Sequence, residues 1–436
     1  MAIPYRSTRS TTDTESISFG EALLRGLAPD GGLYVPQNPP RISFAHIFEG
    51  DTLPDMACRV FAGWIGDEVS APDQERIVRD ALDFPAPLVP LAPTGGGPWS
   101  DTFVLELFHG PTLSFKDFGA RTMARWMGYF LARRGERATI LVATSGDTGS
   151  AVADGFAGQE RIRVVLLYPK DKVSPVQEQQ LIAARPGVQA LRVAGDFDDC
   201  QRMAKEAFVH PAFAGAGLSS ANSINIGRLL PQMMYYVLAA SRFPAENPWF
   251  CVPSGNLGNL TGGVLAHLSG LPVAGFLAAH NANDFFPRFL SGEDAGFAPT
   301  IRTLSNAMDV GAPSNFERLQ ALLDRPAMQR LIRAERVLDE DTVASMQRVY
   351  EATGYVADPH TAVGLEAVRR QRALGALQGP VVVLATAHPA KFPETVHAAL
   401  DFEPDVPERL AAIGAQGAAV EEILPSMEAL RPYLVA

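Results

Sequence analysis

Lys116 stands between two phenylalanines in the run Phe115-Lys116-Asp117-Phe118. Apolar flanks disfavour the ammonium form, and the free amine that results is a nucleophile able to condense with an aldehyde. The chain carries only five lysines, Lys116, Lys170, Lys172, Lys205 and Lys391, against 32 arginines. Arginine therefore serves wherever a plain positive charge suffices, and the remaining lysines are enriched for work a guanidinium cannot do, imine formation above all. The competing structural reading is a lysine snorkelling from an amphipathic helix.

Four further runs have the composition of ligand loops. Ser254-Gly255-Asn256-Leu257-Gly258-Asn259 lies between a predicted strand and helix. Its glycines permit close backbone approach, and a helix N-terminus favours phosphate. It has neither the Lys-Ser/Thr ending of an ATP-binding loop nor the dinucleotide spacing. Thr144-Ser145-Gly146-Asp147-Thr148-Gly149 has the same setting and suits a carboxylate. Asn222-Ser223-Ile224-Asn225-Ile226-Gly227-Arg228 places polar donors ahead of a helix with an arginine a turn later, a pattern that can clamp a second phosphate. Thr386, after the strand Val-Val-Val-Leu-Ala, offers a neutral hydroxyl to a ring nitrogen. Each run also reads as an ordinary turn or helix cap. Together they supply the parts of a pyridoxal-phosphate site whose substrate also carries phosphate.

Something must hold these loops in place. From residue 101 onward short apolar runs alternate with helical stretches: ATILVA, RIRVVLLYP, VQALRVAG, WFCVP and PVVVLA each lead through a loop to a helix. That alternation predicts an α/β fold of parallel sheets covered by helices, with ligands at the carboxyl ends of the strands. Ser174-Pro175-Val176-Gln177 reads as a capping box with proline at the first helical position. Residues 1–97 form a separate N-terminal unit closed by the linker-like FPAPLVPLAPTGGGP. Residues 98–436 form the catalytic region, with a smaller lobe nested at about 138–245.

A net charge of −11 argues against a nucleic-acid surface. No run reaches the roughly 20 apolar residues of a membrane span, and the N-terminus lacks the apolar core of a signal peptide. The three cysteines stand in no metal-ligand spacing, so no metal is expected; they read as reduced thiols of a cytoplasmic protein.

Beyond these local readings, the chain resembles the threonine synthase family, in its branch without an N-terminal regulatory domain. The likeness is carried by SFGEALLRGLAPDGGLYVP, LFHGPTLSFKDFGAR, ATSGDTGSA, LYPKDKVSPVQEQQ, SANSINIGRLLPQ, VPSGNLGNLTGG, LSNAMDVGAPSNFERL and TAHPAKFPE, in family order over nearly the whole length. The resemblance implies the fold-type II pyridoxal-phosphate architecture, with two parallel-sheet lobes and a small N-terminal domain. It implies conversion of O-phospho-L-homoserine and water to L-threonine and phosphate, the last step of threonine biosynthesis, by a monomer or homodimer. By motif, Lys116 is the Schiff-base lysine; Gly255, Asn256, Leu257, Gly258 and Asn259 cradle the cofactor phosphate; and Thr386 faces the pyridine nitrogen. Ser145, Gly146, Asp147 and Thr148 grip the substrate carboxylate, while Asn222, Ser223 and Arg228 clamp the substrate phosphate. One position departs from the commoner fold-type II pattern: Asp147 stands where an asparagine is usual, and a carboxylate there would repel the cofactor's phenolate. The alternative is a phospholyase on the same scaffold, releasing a keto acid and ammonia. A non-catalytic relic would not need Lys116 together with both phosphate loops.

Overall fold

The structure, a computed structural model, describes residues 3–10, 16–49, 52–92, 97, 99–144, 146–170, 173–213, 215–414 and 420–435. Ser145 and Lys172 lie outside the described residues.

The N-terminal unit is built on local signals. Ser18 caps the helix Phe19–Arg25 by accepting from the Glu21 amide, and strand Tyr5–Ser7 pairs antiparallel with Tyr34–Pro36. Helices Leu53–Ile65 and Ala71–Ala81 begin on Thr52 and Ser70 caps, each followed by a proline in the first turn. Phe19 and Phe61 bury their rings against Trp126 of the helix Lys116–Arg134, with centroids 5.1 and 5.0 Å apart. The N-terminal unit therefore rests on the helix that begins with Lys116.

Two parallel sheets follow. The six-stranded sheet has the order Ile332–Arg336, Gly275–His280, Trp249–Pro253, Val381–Ala385, Thr102–Glu106, Leu88–Pro90. All its pairings are parallel except the last. The second sheet runs Glu421–Ile423, Val188–Val193, Ile162–Pro169, Ala138–Ala143, Leu218–Ser219, all parallel. Central strands such as Ala138–Ala143 and Val381–Ala385 are buried along their whole length, as parallel strands covered on both faces require. The proline-rich segment expected as a linker also supplies the edge strand Leu88–Pro90; Pro90, which has no amide hydrogen, is tolerated there because an edge strand has one unpaired side. Among the described residues, no helix is long and apolar enough to cross a membrane.

Candidate active site

Lys116 is the first residue of its helix and is reached through the loop Leu107–Phe115. That loop is strapped to the end of strand Val381–Ala385. The Phe115 amide donates to the Thr386 carbonyl at 2.9 Å, the His388 amide to the Leu113 carbonyl at 3.1 Å, and Ser114 bridges Ala387. Leu113 takes a left-handed conformation, φ 58°, to make the turn. Asp117 anchors the loop from within, accepting from the Thr112 amide at 2.9 Å and hydroxyl at 2.7 Å. Burial pushes its carboxyl up to about 6 against those two bonds. The half-buried Lys116 amine is pushed down to about 8 by desolvation; Asp147 opposes the shift, and Lys391 and Arg228 add to it. Its Nζ lies 5.6 Å from the Phe115 ring centre and makes no hydrogen bond or ion pair with the described residues.

The Ser254–Asn259 loop leaves strand Trp249–Pro253 and enters helix Gly258–Leu268 with Leu257 left-handed, φ 59°, and no side chain capping the first turn. A Cβ on Gly255 would fall 2.7 Å from the Met308 Cα, so only glycine fits. The Asn259 Oδ1 accepts from the Tyr235 and Tyr236 hydroxyls at 2.6 and 2.7 Å, while its buried Nδ2 has no partner among the described residues. A close-approach glycine, an uncapped helix N-terminus and an orphaned donor fit a phosphate group.

Thr386, at the end of the neighbouring strand, is nearly buried, and its hydroxyl makes no hydrogen bond with the described residues. The Asn222–Arg228 run is adjacent to the Ser254–Asn259 loop: the Ser223 Oγ accepts from Asn256 Nδ2 at 2.7 Å. Asn225 is the cap of helix Ile226–Leu229, and Arg228 is buried, with Nη1 donating to the Ala221 carbonyl and Nε unpartnered among the described residues. Asn222 is half-buried in the same loop. Lys116, the Ser254–Asn259 loop, Thr386 and Arg228 thus gather where the carboxyl ends of the two sheets face each other.

Gly146, Asp147 and Thr148 are in the same region, but the Asp147 carboxylate is not free. Its Oδ1 lies 2.8 Å from Lys391 Nζ and 3.0 Å from Gln177 Nε2. Burial alone would raise this carboxyl; Lys391, Lys116 and Gln177 together hold it well below the usual carboxylate range. The repulsion expected from a carboxylate at this position is thereby answered by a cation.

Several residues with a part in the site escape a reading by motif. Lys391 is one. Arg318, fully buried, donates to the backbone carbonyls of Tyr34, Ser223 and Ile224 and to the Asn315 side chain, so it fixes the clamp loop through neutral acceptors. His360 Nε2 accepts from the Ala307 amide at 3.1 Å, which makes Nδ1 the donor to Asp358 at 2.7 Å and supports the segment that packs on Gly255. The run LSNAMDVGAPSNFERL, already part of the family likeness, was the available signal for Asn315 and Arg318.

Comparison with known proteins settles the class. A family model described as pyridoxal-phosphate dependent enzyme matches residues 81–387, and the molecule is an enzyme of that class with pyridoxal phosphate as its cofactor. Models described as threonine synthase N terminus and threonine synthase, C-terminal, match residues 4–82 and 361–433. Threonine synthase of Escherichia coli is 42% identical over 405 residues, 91% of each chain, and that of Serratia marcescens 40% identical over 97% of each. The crystal structure of pyridoxal-phosphate-bound threonine synthase from Brucella melitensis superposes with a TM-score of 0.91 at 36% identity, covering 99% of both chains. The chain belongs to the threonine synthase family, pyridoxal-phosphate-dependent lyases acting on a small molecule.

Proposed function

We propose that the chain converts O-phospho-L-homoserine and water to L-threonine and phosphate, with Lys116 holding the cofactor covalently through its ε-amine. The observation that carries this reading is a half-buried Lys116 amine with no hydrogen bond or ion pair among the described residues, acted on by the buried Arg228, in a site that also holds the uncapped helix start at Gly258. When bound, pyridoxal phosphate supplies an electron sink for charge developing at the substrate Cα. Lys116, released when the substrate amine replaces it, would move the α-proton as base and later as acid; burial already favours its free amine in the chain without ligand. Gly255 to Asn259 would hold the cofactor phosphate, and the Thr386 hydroxyl would serve the pyridine nitrogen without a charge that enforces its protonation. Asn222, Ser223 and Arg228 bind the substrate phosphate, which is both handle and leaving group. Gly146 and Thr148 grip the substrate carboxylate, Ser145 on sequence grounds alone. The family resemblance supports a cytoplasmic monomer or homodimer, and the three cysteines are unpaired, as a reducing compartment keeps them. Residues 1–97 serve as its N-terminal domain and 98–436 as its catalytic region.

Product analysis after incubation with O-phosphohomoserine tests the reaction: threonine and phosphate are expected, and a keto acid with ammonia would make the chain a phospholyase. Lys116→Ala should abolish turnover and borohydride labelling by the cofactor while the fold persists. Reductive labelling of a different lysine would remove Lys116 from its role.

A further inference from the structure

We propose that Lys391 is a positioning residue for Lys116: by holding the Asp147 carboxylate, it keeps Lys116 from becoming that carboxylate's counter-ion. The inference rests on the reading that Lys116 carries the cofactor.

Lys391 ends a short turn, Pro389–Lys391, after the strand Val381–Ala385 of the six-stranded sheet, and its side chain is 0% exposed. Asp147 opens the helix Asp147–Phe156 after a strand of the five-stranded sheet. The pair at 2.8 Å therefore bridges the two sheets in a place water does not reach. A second Lys391 proton goes to the Thr112 carbonyl at 2.9 Å, in the loop that leads into Lys116. Gln177, from the helix Pro175–Ile182, donates to the same Asp147 oxygen as Lys391 does. A buried carboxylate with an amide as its sole partner would be costly, and the other cation that acts on Asp147 is Lys116. The charged groups acting on Lys116 are Asp147, Lys391 and Arg228, the last from helix Ile226–Leu229. Asp117, its chain neighbour, is turned to Thr112, and His388 sits on the turn of Lys391 itself.

The expected consequences have opposite signs. Without Lys391, the negative Asp147 faces Lys116 alone and stabilises its ammonium. Without the Asp147 charge, Lys116 loses the carboxylate that acts on it, and its free amine is favoured. The loss of Asp147 outweighs any accompanying loss of the Lys391 proton, because Asp147 acts on Lys116 more strongly than Lys391 does.

The test is the pH dependence of covalent capture of pyridoxal phosphate by the full-length apoenzyme, followed by absorbance and by borohydride trapping. Lys391→Met should raise the midpoint by about one pH unit or more. Asp147→Asn should lower it, and the double variant should return toward the native value. Should Lys391→Met not fold, Lys391→Gln, which keeps a donor for Thr112 but no charge, takes its place. An unmoved or lowered midpoint in the lysine variant overturns the proposal, as does a double variant more damaged than either single one, since a purely structural Lys391 would behave so. Trapping that labels another lysine removes the reading of Lys116 itself, a failure distinguishable from an unmoved profile with Lys116 labelled.

Discussion

Two loops of this molecule share a plan and differ in what they leave unsatisfied. Thr144–Gly149 and Ser254–Asn259 each leave a buried parallel strand and open a helix whose cap residue, Gly146 or Leu257, makes no side-chain bond to the first turn. In the first, the Thr144 hydroxyl oxygen accepts from the Gly146 amide at 3.1 Å and the Gly149 amide at 2.8 Å, and the Asp147 carboxylate is spoken for by Lys391 and Gln177. The Gln177 side chain lies over Gly146, where a Cβ would fall 2.6 Å from it. In the second, the glycine abuts backbone, Leu257 is left-handed, and a buried Asn259 donor has no partner among the described residues. Similar sequence patterns thus yield one loop satisfied largely from within and one held open. The open loop suits a permanent anion, since its donors remain orphaned until one binds. The closed loop suits a transient one, because the Gly146 and Gly149 amides and the Asp147 carboxylate already have partners.

The sharpest way to break this contrast is Gly255→Val. Its branched side chain meets the Met308 backbone, which cannot yield as a flexible side chain would. Displacing the loop removes several charge-assisted bonds at once, so pyridoxal phosphate affinity should fall on the order of a hundredfold or more. Equilibrium dialysis of the cofactor measures this, and near-native affinity would mean that the phosphate is held elsewhere. Arg228→Ala should instead spare the cofactor and weaken O-phosphohomoserine by about ten- to a hundred-and-fifty-fold, the worth of one hydrogen bond to a charged group. Arg228→Lys should recover part of that loss, because a point charge does not reproduce a forked contact. Comparing kcat/KM with cofactor affinity in both variants separates the roles; equal damage to both would assign Arg228 to the scaffold.

What could be read along the chain, and what could not, divides by distance. The Ser174–Gln177 capping box forms as its spacing predicts, and the strands ATILVA and VVVLA fall where their apolar runs place them. These signals are local, so a few residues contain the cause and the result. Lys391 carried no readable role, because its partners are set by tertiary packing: Thr112 is 279 residues away, and Asp147 belongs to the other sheet. Arg318 reaches Tyr34 across 284 residues for the same reason. The proline-rich 84–98 segment was only half legible: its composition signals a connection, while the pairing of Leu88–Pro90 depends on a strand edge that the sequence does not display.

The closed loop can be broken without touching a ligand. Thr144→Val keeps the shape of the side chain but removes the acceptor for two buried amides. Each unsatisfied donor costs about 1–3 kcal/mol, so the variant should lose a few kcal/mol of stability in denaturant unfolding. Its cofactor affinity should change little, since the Ser254–Asn259 loop is untouched. A stable variant that binds cofactor poorly would reverse the assignment of the two loops.

The smallest expected effect tests how the open loop keeps its orphaned donor in place. Asn259 is an amide whose two ends could exchange by rotation, and only one orientation presents Nδ2 unpaired. Two tyrosine hydroxyls, Tyr235 at 2.6 Å and Tyr236 at 2.7 Å, both point protons at Oδ1 and so select that orientation. Each hydroxyl has a single proton, and for both the contact with Oδ1 is the shortest they make, shorter than Tyr235 to Gln232 at 3.3 Å or Tyr236 to the Asn259 carbonyl at 2.9 Å. Removing one leaves the other, and the amide stays oriented. Tyr235→Phe should therefore weaken cofactor binding by no more than about fivefold, near 1 kcal/mol, the net worth of one neutral hydrogen bond. Tyr236→Phe should behave alike. With both hydroxyls gone nothing selects the orientation, so the double variant should lose more affinity than the two single losses combined, as coupled neighbours do. Cofactor dissociation constants for the four proteins decide it: strictly additive losses would mean that the tyrosines merely pack, and that another group directs Asn259.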